Sequence, residues 1–67
     1  MINITLNGER IQVKSDTSLF ELVQTKKLNP DIIVIEHNRD IIPKAKWTEV
    51  AIKESDQIEI ICFVGGG

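Results

Sequence analysis

Asn7-Gly8 separates two runs of alternating apolar and polar residues, and no other feature narrows the possible folds so much. Before it, Ile2, Ile4 and Leu6 alternate with Asn3, Thr5 and Asn7. After it, Ile11 and Val13 alternate with Arg10, Gln12 and Lys14. A period of two belongs to a strand with one buried face. Asn-Gly favours a type I′ turn, whose twist matches that of an antiparallel hairpin. The chain therefore opens with two paired strands whose apolar side chains share one face, and that face needs a cover.

The next segment supplies it. Asp16-Thr17-Ser18 offers helix-start residues, and Ser18 with Glu21 has the spacing of a capping box. Leu19, Leu22 and Val23 fall at helical spacing, with Phe20 at the edge of the stripe, so one face can lie on the sheet. Lys26-Lys27 suits the negative end of the helix dipole, and Asn29-Pro30 closes the segment. Ile32 to Glu36 is a β-branched run without polar alternation, which predicts a central strand covered on more than one side. His37-Asn38-Arg39-Asp40 is a polar turn, Ile41-Ile42 a short extended piece ended by Pro43, and Lys44 to Val50 an irregular connection around Trp47. After a turn at Glu54-Ser55-Asp56-Gln57 comes the last strand. Ile58, Ile60, Cys62 and Val64 lie on its helix-facing side, with Glu59, Ile61 and Phe63 opposite.

Two strands, one helix and two or three further strands give an α+β chain. Its expected fold is a mixed four- to five-stranded sheet with the helix packed across it, the β-grasp or ubiquitin-like arrangement. The right-handed crossover rule places the last strand parallel to the first, in the middle of the sheet. Residues 1–64 are expected to form this single domain, with 65–67 as a flexible glycine tail. At 67 residues there is room for one small core, because a chain of this size buries only about 60% of the surface exposed when unfolded.

Charge and composition exclude several function classes. The net charge is -2, no basic stripe is present, and Phe20, Trp47 and Phe63 are the only aromatics, which argues against a nucleic-acid partner. The longest apolar stretches, at Ile32–Ile35 and Ile60–Val64, are too short to span a bilayer, and the N-terminus lacks a secretory signal. A lone cysteine builds neither an internal disulfide nor a cysteine-based zinc site. The expectation is a cytoplasmic protein with no membrane partner and no metal.

Gly65-Gly66-Gly67 follows the last strand without a linker. A bare carboxylate on so thin a tail can be threaded into a partner's active site, where side chains would clash with the channel walls. A carboxylate is a poor electrophile until converted to an acyl-adenylate, so Gly67 is the candidate for activation by a separate ATP-using enzyme, with Gly65 and Gly66 as threading tail. Ile61 and Phe63, on the face opposite the helix and near the exit of the tail, are candidates for partner docking. In the competing reading, the loop carrying Trp47 folds over them to form a second small core. Cys62 reads as an inert core hydrophobe, and His37, near Glu36 and Asp40, as a solvated turn residue.

The central block IIVIEHNRDIIPKAKW and the close DQIEIICFVGGG, with the Asn-Gly hairpin near the start, make the chain similar to the ThiS family, the sulfur carriers of bacterial thiazole (thiamine) biosynthesis. The resemblance spans nearly the whole chain. It implies a carrier with no catalytic machinery or bound cofactor. A ThiF-like adenylyltransferase would consume ATP to adenylate Gly67, and sulfur originating in a cysteine desulfurase would convert it to a thiocarboxylate. A ThiG-like thiazole synthase would receive that sulfur. Two alternatives within the fold are the small subunit of molybdopterin synthase, whose proline before the glycines has no counterpart in Cys62-Phe63-Val64, and a ubiquitin-like modifier joined through Gly67.

Overall fold

The computed structural model describes residues 1–63. Val64, Gly65, Gly66 and Gly67, and with them the expected boundary between domain and tail, lie outside the described residues. Five strands form one sheet: β1 (Ile2–Leu6), β2 (Glu9–Val13), β3 (Ile33–His37), β4 (Asp40–Ile42) and β5 (Gln57–Cys62). Their order across the sheet is β2-β1-β5-β3-β4. β5 runs parallel to β1 and antiparallel to β3, so the final strand occupies the middle, as the crossover rule requires.

Each local device follows from the sequence. Asn7 and Gly8 take φ of 49° and 85°, the two left-handed residues that a type I′ turn demands. Helix α1 (Leu19–Thr25) begins with a complete capping box. The Glu21 amide donates to Ser18 Oγ at 3.1 Å, and the Ser18 amide donates to Glu21 Oε1 at 3.0 Å, satisfying two otherwise orphaned donors. The helix ends at Thr25, before the lysine pair. Lys27 adopts φ 57°, and the amides of Lys27 and Leu28 donate to the carbonyls of Gln24 and Val23. This is a Schellman ending with lysine where glycine is usual.

Ile4, Leu6, Leu19, Leu22, Val23, Ile33, Ile35, Trp47, Ile52 and Ile58 form the core between sheet and helix. Trp47 belongs to it, 1% exposed, carried by a 3₁₀ stretch at Lys44–Glu49 and donating its indole N–H to the Ile42 carbonyl at 2.9 Å. The strand that follows the helix is not covered on both sides as its β-branched run predicts. Ile33 and Ile35 are buried, whereas Val34 and Glu36 are half-buried on the other face, because one helix can cover only one face of the sheet.

The segment after the 3₁₀ stretch is tied to the start of the helix: the Leu19 amide donates to the Val50 carbonyl and the Ile52 amide to the Thr17 carbonyl. Among the described residues, no helix is long and apolar enough to cross a membrane.

His37 is not the solvated turn residue that its neighbours suggest. Its Nε2 lies 2.7 Å from Oδ2 of Asp56, a carboxylate 19 residues away and only 8% exposed. The Lys53 amide donates to the same oxygen at 2.8 Å, and Asn38 Nδ2 to Oδ1 at 3.1 Å. Burial raises the pKa of Asp56. The bonds from His37, Lys53 and Asn38, with the charge on His37, outweigh burial and leave the pKa below its ordinary 3.8. A carboxylate with a depressed folded-state pKa contributes stability above its unfolded value, and that contribution disappears as pH falls through the folded value. Asp56→Ala is therefore expected to cost about 1–3 kcal/mol at pH 7 by stranding these donors. In thermal melts, the gap to the unsubstituted protein should narrow as pH drops below about 4.

Candidate functional site

The site is built on the far end of β5. Residues 57, 59, 61 and 63 direct their backbone groups toward β3: the Asn38 amide donates to the Gln57 carbonyl and the Phe63 amide to the Ile32 carbonyl. The side chains of Glu59, Ile61 and Phe63 share the face away from the helix. Ile61 lies directly opposite Val34, and Glu59 opposite Glu36, which in turn faces Ile41 on β4.

The result is a mixed surface. Ile61 is 51% exposed, Phe63 58% and Ile41 67%, with half-buried Val34 beneath Ile61. Ile61 and Phe63, two residues apart at the end of β5, are open enough to suit binding to another protein, and Ile41 adds a further exposed apolar side chain two strands away. Beside them, the Glu36–Glu59 pair sets two carboxylates across from each other. Like charges in that arrangement are unfavourable, and a cationic group of a partner would relieve them.

Of the residues expected to matter, Ile61 and Phe63 are solvent-exposed on the expected face. The alternative, in which the Trp47 loop covers them, is overturned: Trp47 is buried on the helix side. Gly65, Gly66 and Gly67 lie outside the described residues. The reading of Cys62 as core is corrected. Its alternation with Ile58 and Ile60 is as expected, but cover thins along β5 from buried Ile58 through half-buried Ile60 to exposed Cys62. The helix is too short to shield the end of the strand. Among the described residues no group of three or more His, Cys, Asp or Glu is placed to hold a metal ion.

One contributor escaped the sequence reading. Asn7 forms the turn, and its side chain also reaches across to β5, where Oδ1 accepts from the Ile60 amide at 2.7 Å. The Asn7 amide donates to the Ile58 carbonyl at 2.9 Å. Asn7 thus continues the β1–β5 pairing by two bonds beyond the end of β1. Its role in the turn was visible in the Asn-Gly dipeptide, but a bond spanning 53 residues had no local signal.

The geometry has counterparts in known proteins. The ThiS family model matches residues 3–67. The sulfur carrier protein ThiS of Bacillus subtilis is 38% identical over 65 residues, covering 96% of this chain and 98% of that protein. A thiazole synthase of Magnetococcus marinus is 32% identical over 66 residues, but the match takes in only 20% of that longer protein. In three dimensions, the crystal structure of the thiamine biosynthesis protein ThiS from Geobacter metallireducens superposes with a TM-score of 0.86 at 25% identity, over 98% of this chain and all of that one. The β-grasp expectation is met. With a family match across almost its entire length, a near full-length relative and a shared fold, this chain belongs to the ThiS family.

Proposed function

We propose that this protein is a sulfur carrier of thiamine biosynthesis, loaded at Gly67. The observation that carries the reading is the family match over residues 3–67, which includes all three terminal glycines. It is supported by the position of β5, the middle strand of the sheet, whose last described residues lead directly into that segment.

The chemistry is divided between the carrier and its partners. A ThiF-like adenylyltransferase transfers AMP from ATP to the Gly67 carboxylate and releases pyrophosphate, turning a poor electrophile into a mixed anhydride. A persulfide derived from a cysteine desulfurase attacks the acyl carbon through its terminal sulfur, and AMP departs. A second thiol then cleaves the sulfur–sulfur bond, leaving a thiocarboxylate on Gly67 and a disulfide on the donor side. The thiocarboxylate, a soft nucleophile ionised at neutral pH, passes its sulfur to a ThiG-like thiazole synthase. The carrier contributes a reactive terminus, a tail without side chains and a surface to grip, and it catalyses none of these steps.

Ile61 and Phe63 are the grip. Exposed residues on a rigid strand immediately before the tail let a partner hold the body while Gly67 occupies its active site. A partner surface with an apolar recess and a basic group opposite Glu36 and Glu59 would complement this face.

Incubation with ATP, the adenylyltransferase, a cysteine desulfurase and cysteine is expected to raise the intact mass by the difference between sulfur and oxygen. Deletion of Gly67 should abolish the gain, whereas Cys62→Ala should not. An unchanged mass with partners of demonstrated activity rules the carrier reading out. Separately, Phe63→Asp is expected to weaken binding to the synthase about tenfold or more in titration calorimetry. Because its side chain is exposed, the same change should leave folding stability within about 0.5 kcal/mol of the original.

A further inference from the structure

The pairing of β5 is incomplete on one side. Residues 58, 60 and 62 direct their backbone groups away from β3, toward the side occupied by β1. β1 pairs there only through Thr5–Gln57 and Leu6–Ile58, after which the chain turns at Asn7-Gly8. Asn7 meets the Ile58 carbonyl and the Ile60 amide. Beyond that, among the described residues, nothing donates to the Ile60 carbonyl and nothing accepts from the Cys62 amide. These two groups form a short open strand edge within the sheet, on the last stretch before the glycines.

A concavity of about 270 Å³ lies beside this edge, lined by Leu6, Asn7, Glu9, Lys26, Leu28 and Ile60. Its volume lies near the lower end of the roughly 300–1,000 Å³ of small-molecule sites and is ample for one apolar side chain. Leu6, Leu28 and half-buried Ile60 make it partly apolar, and Glu9 and Lys26 give it one charge of each sign. A strand laid along the edge would alternate its side chains, sending one set toward the helix side and this recess and the other toward the face carrying Ile61 and Phe63.

We infer that the open edge of β5 is a strand-addition site for an extended segment of the thiazole synthase that takes the glycine tail, with one apolar side chain of that segment entering the recess between Leu6, Leu28 and Ile60. The inference rests on the carrier reading above. Four residues follow Phe63, and they reach at most about 14 Å when fully extended. An active site acting on Gly67 therefore lies close to the end of β5. Glycines offer a partner no side chains, so backbone hydrogen bonds are the means left to set direction and register. The open edge supplies a donor and an acceptor immediately before the tail. Strand addition of this kind takes affinity from main-chain bonds and specificity from pockets for alternate side chains.

The test uses the full chain, labelled with ¹⁵N, and a thiazole synthase of demonstrated activity. In the free protein the Cys62 amide should exchange rapidly with solvent while the Phe63 amide, bonded to Ile32, exchanges slowly. Addition of the synthase should protect Cys62 at least about tenfold. A chemically synthesised chain carrying N-methylalanine at position 62 should bind at least about fivefold more weakly than Cys62→Ala, which keeps the N–H. Leu28→Asp, at an exposed wall of the recess, should weaken binding similarly while a circular dichroism melt shows retained folding.

Resonance shifts at Ile61 and Phe63 with no protection of Cys62, and equal binding by the two position-62 variants, would overturn strand addition while leaving the carrier reading in place. No shifts at all would remove the carrier reading and this inference with it. Protection of Cys62 that rises with concentration in the free protein would overturn the inference in favour of a second copy of the chain as occupant.

Discussion

The register of β5 is the constraint on which the rest of the structure depends. Side chains alternate along a strand, so a slip of one residue would bring Glu59 and Ile61 into the core and turn Ile58 and Ile60 out to solvent. The register is set at the entrance to the strand. Asn38 exchanges two bonds with Gln57, its amide donating to the Gln57 carbonyl and its side-chain oxygen accepting from the Gln57 amide. The Thr5 amide holds the Asp56 carbonyl, and the Asn7 amide holds that of Ile58. The Asp56 carboxylate gathers His37, Asn38 and the Lys53 amide into the same junction. Burying this carboxylate carries a desolvation cost, and the three donors offset it.

This junction stands at one end of β5 and the exposed Ile61 and Phe63 at the other. The strand between them is the middle one of the sheet, flanked by β1 near its start and by β3 throughout. A partner that grips Ile61 and Phe63 therefore holds the element least free to move independently of the core, since Ile58 of the same strand is 1% exposed. On the proposed carrier reading, in which the chemistry takes place beyond the last strand, a fixed base would help to place the glycine segment in another enzyme's active site. The open backbone groups of Ile60 and Cys62 lie on the same strand, between buried Ile58 and exposed Phe63.

Much of the fold could be read locally. Asn7-Gly8 with its flanking alternation specified the hairpin, Ser18 and Glu21 the start of the helix, and Pro43 the end of the short fourth strand. Each rests on contacts between residues a few positions apart, where a dipeptide or a four-residue spacing suffices. The order of elements and the handedness of crossovers then left β5 in the middle. The exposure of Ile61 and Phe63 was legible because period two put them opposite buried Ile58 and half-buried Ile60.

What escaped the sequence reading was long-range or depended on where cover stops. His37 looked solvated because its neighbours are polar, yet its partner is Asp56, brought alongside by the β3–β5 pairing. Cys62 alternates like a core residue but is exposed, since alternation assigns a face without revealing how far the helix reaches over it. The same limit applies to β3, whose uniform β-branched run gave no sign that one face would be open. By itself the sequence determined the elements, their order and the candidate tail, because local backbone preference and apolar period are properties of short segments. The tertiary structure alone decided which polar groups meet across tens of residues, where the core's cover ends and which strand edge stays open. Those depend on distances that exist only once the sheet is assembled.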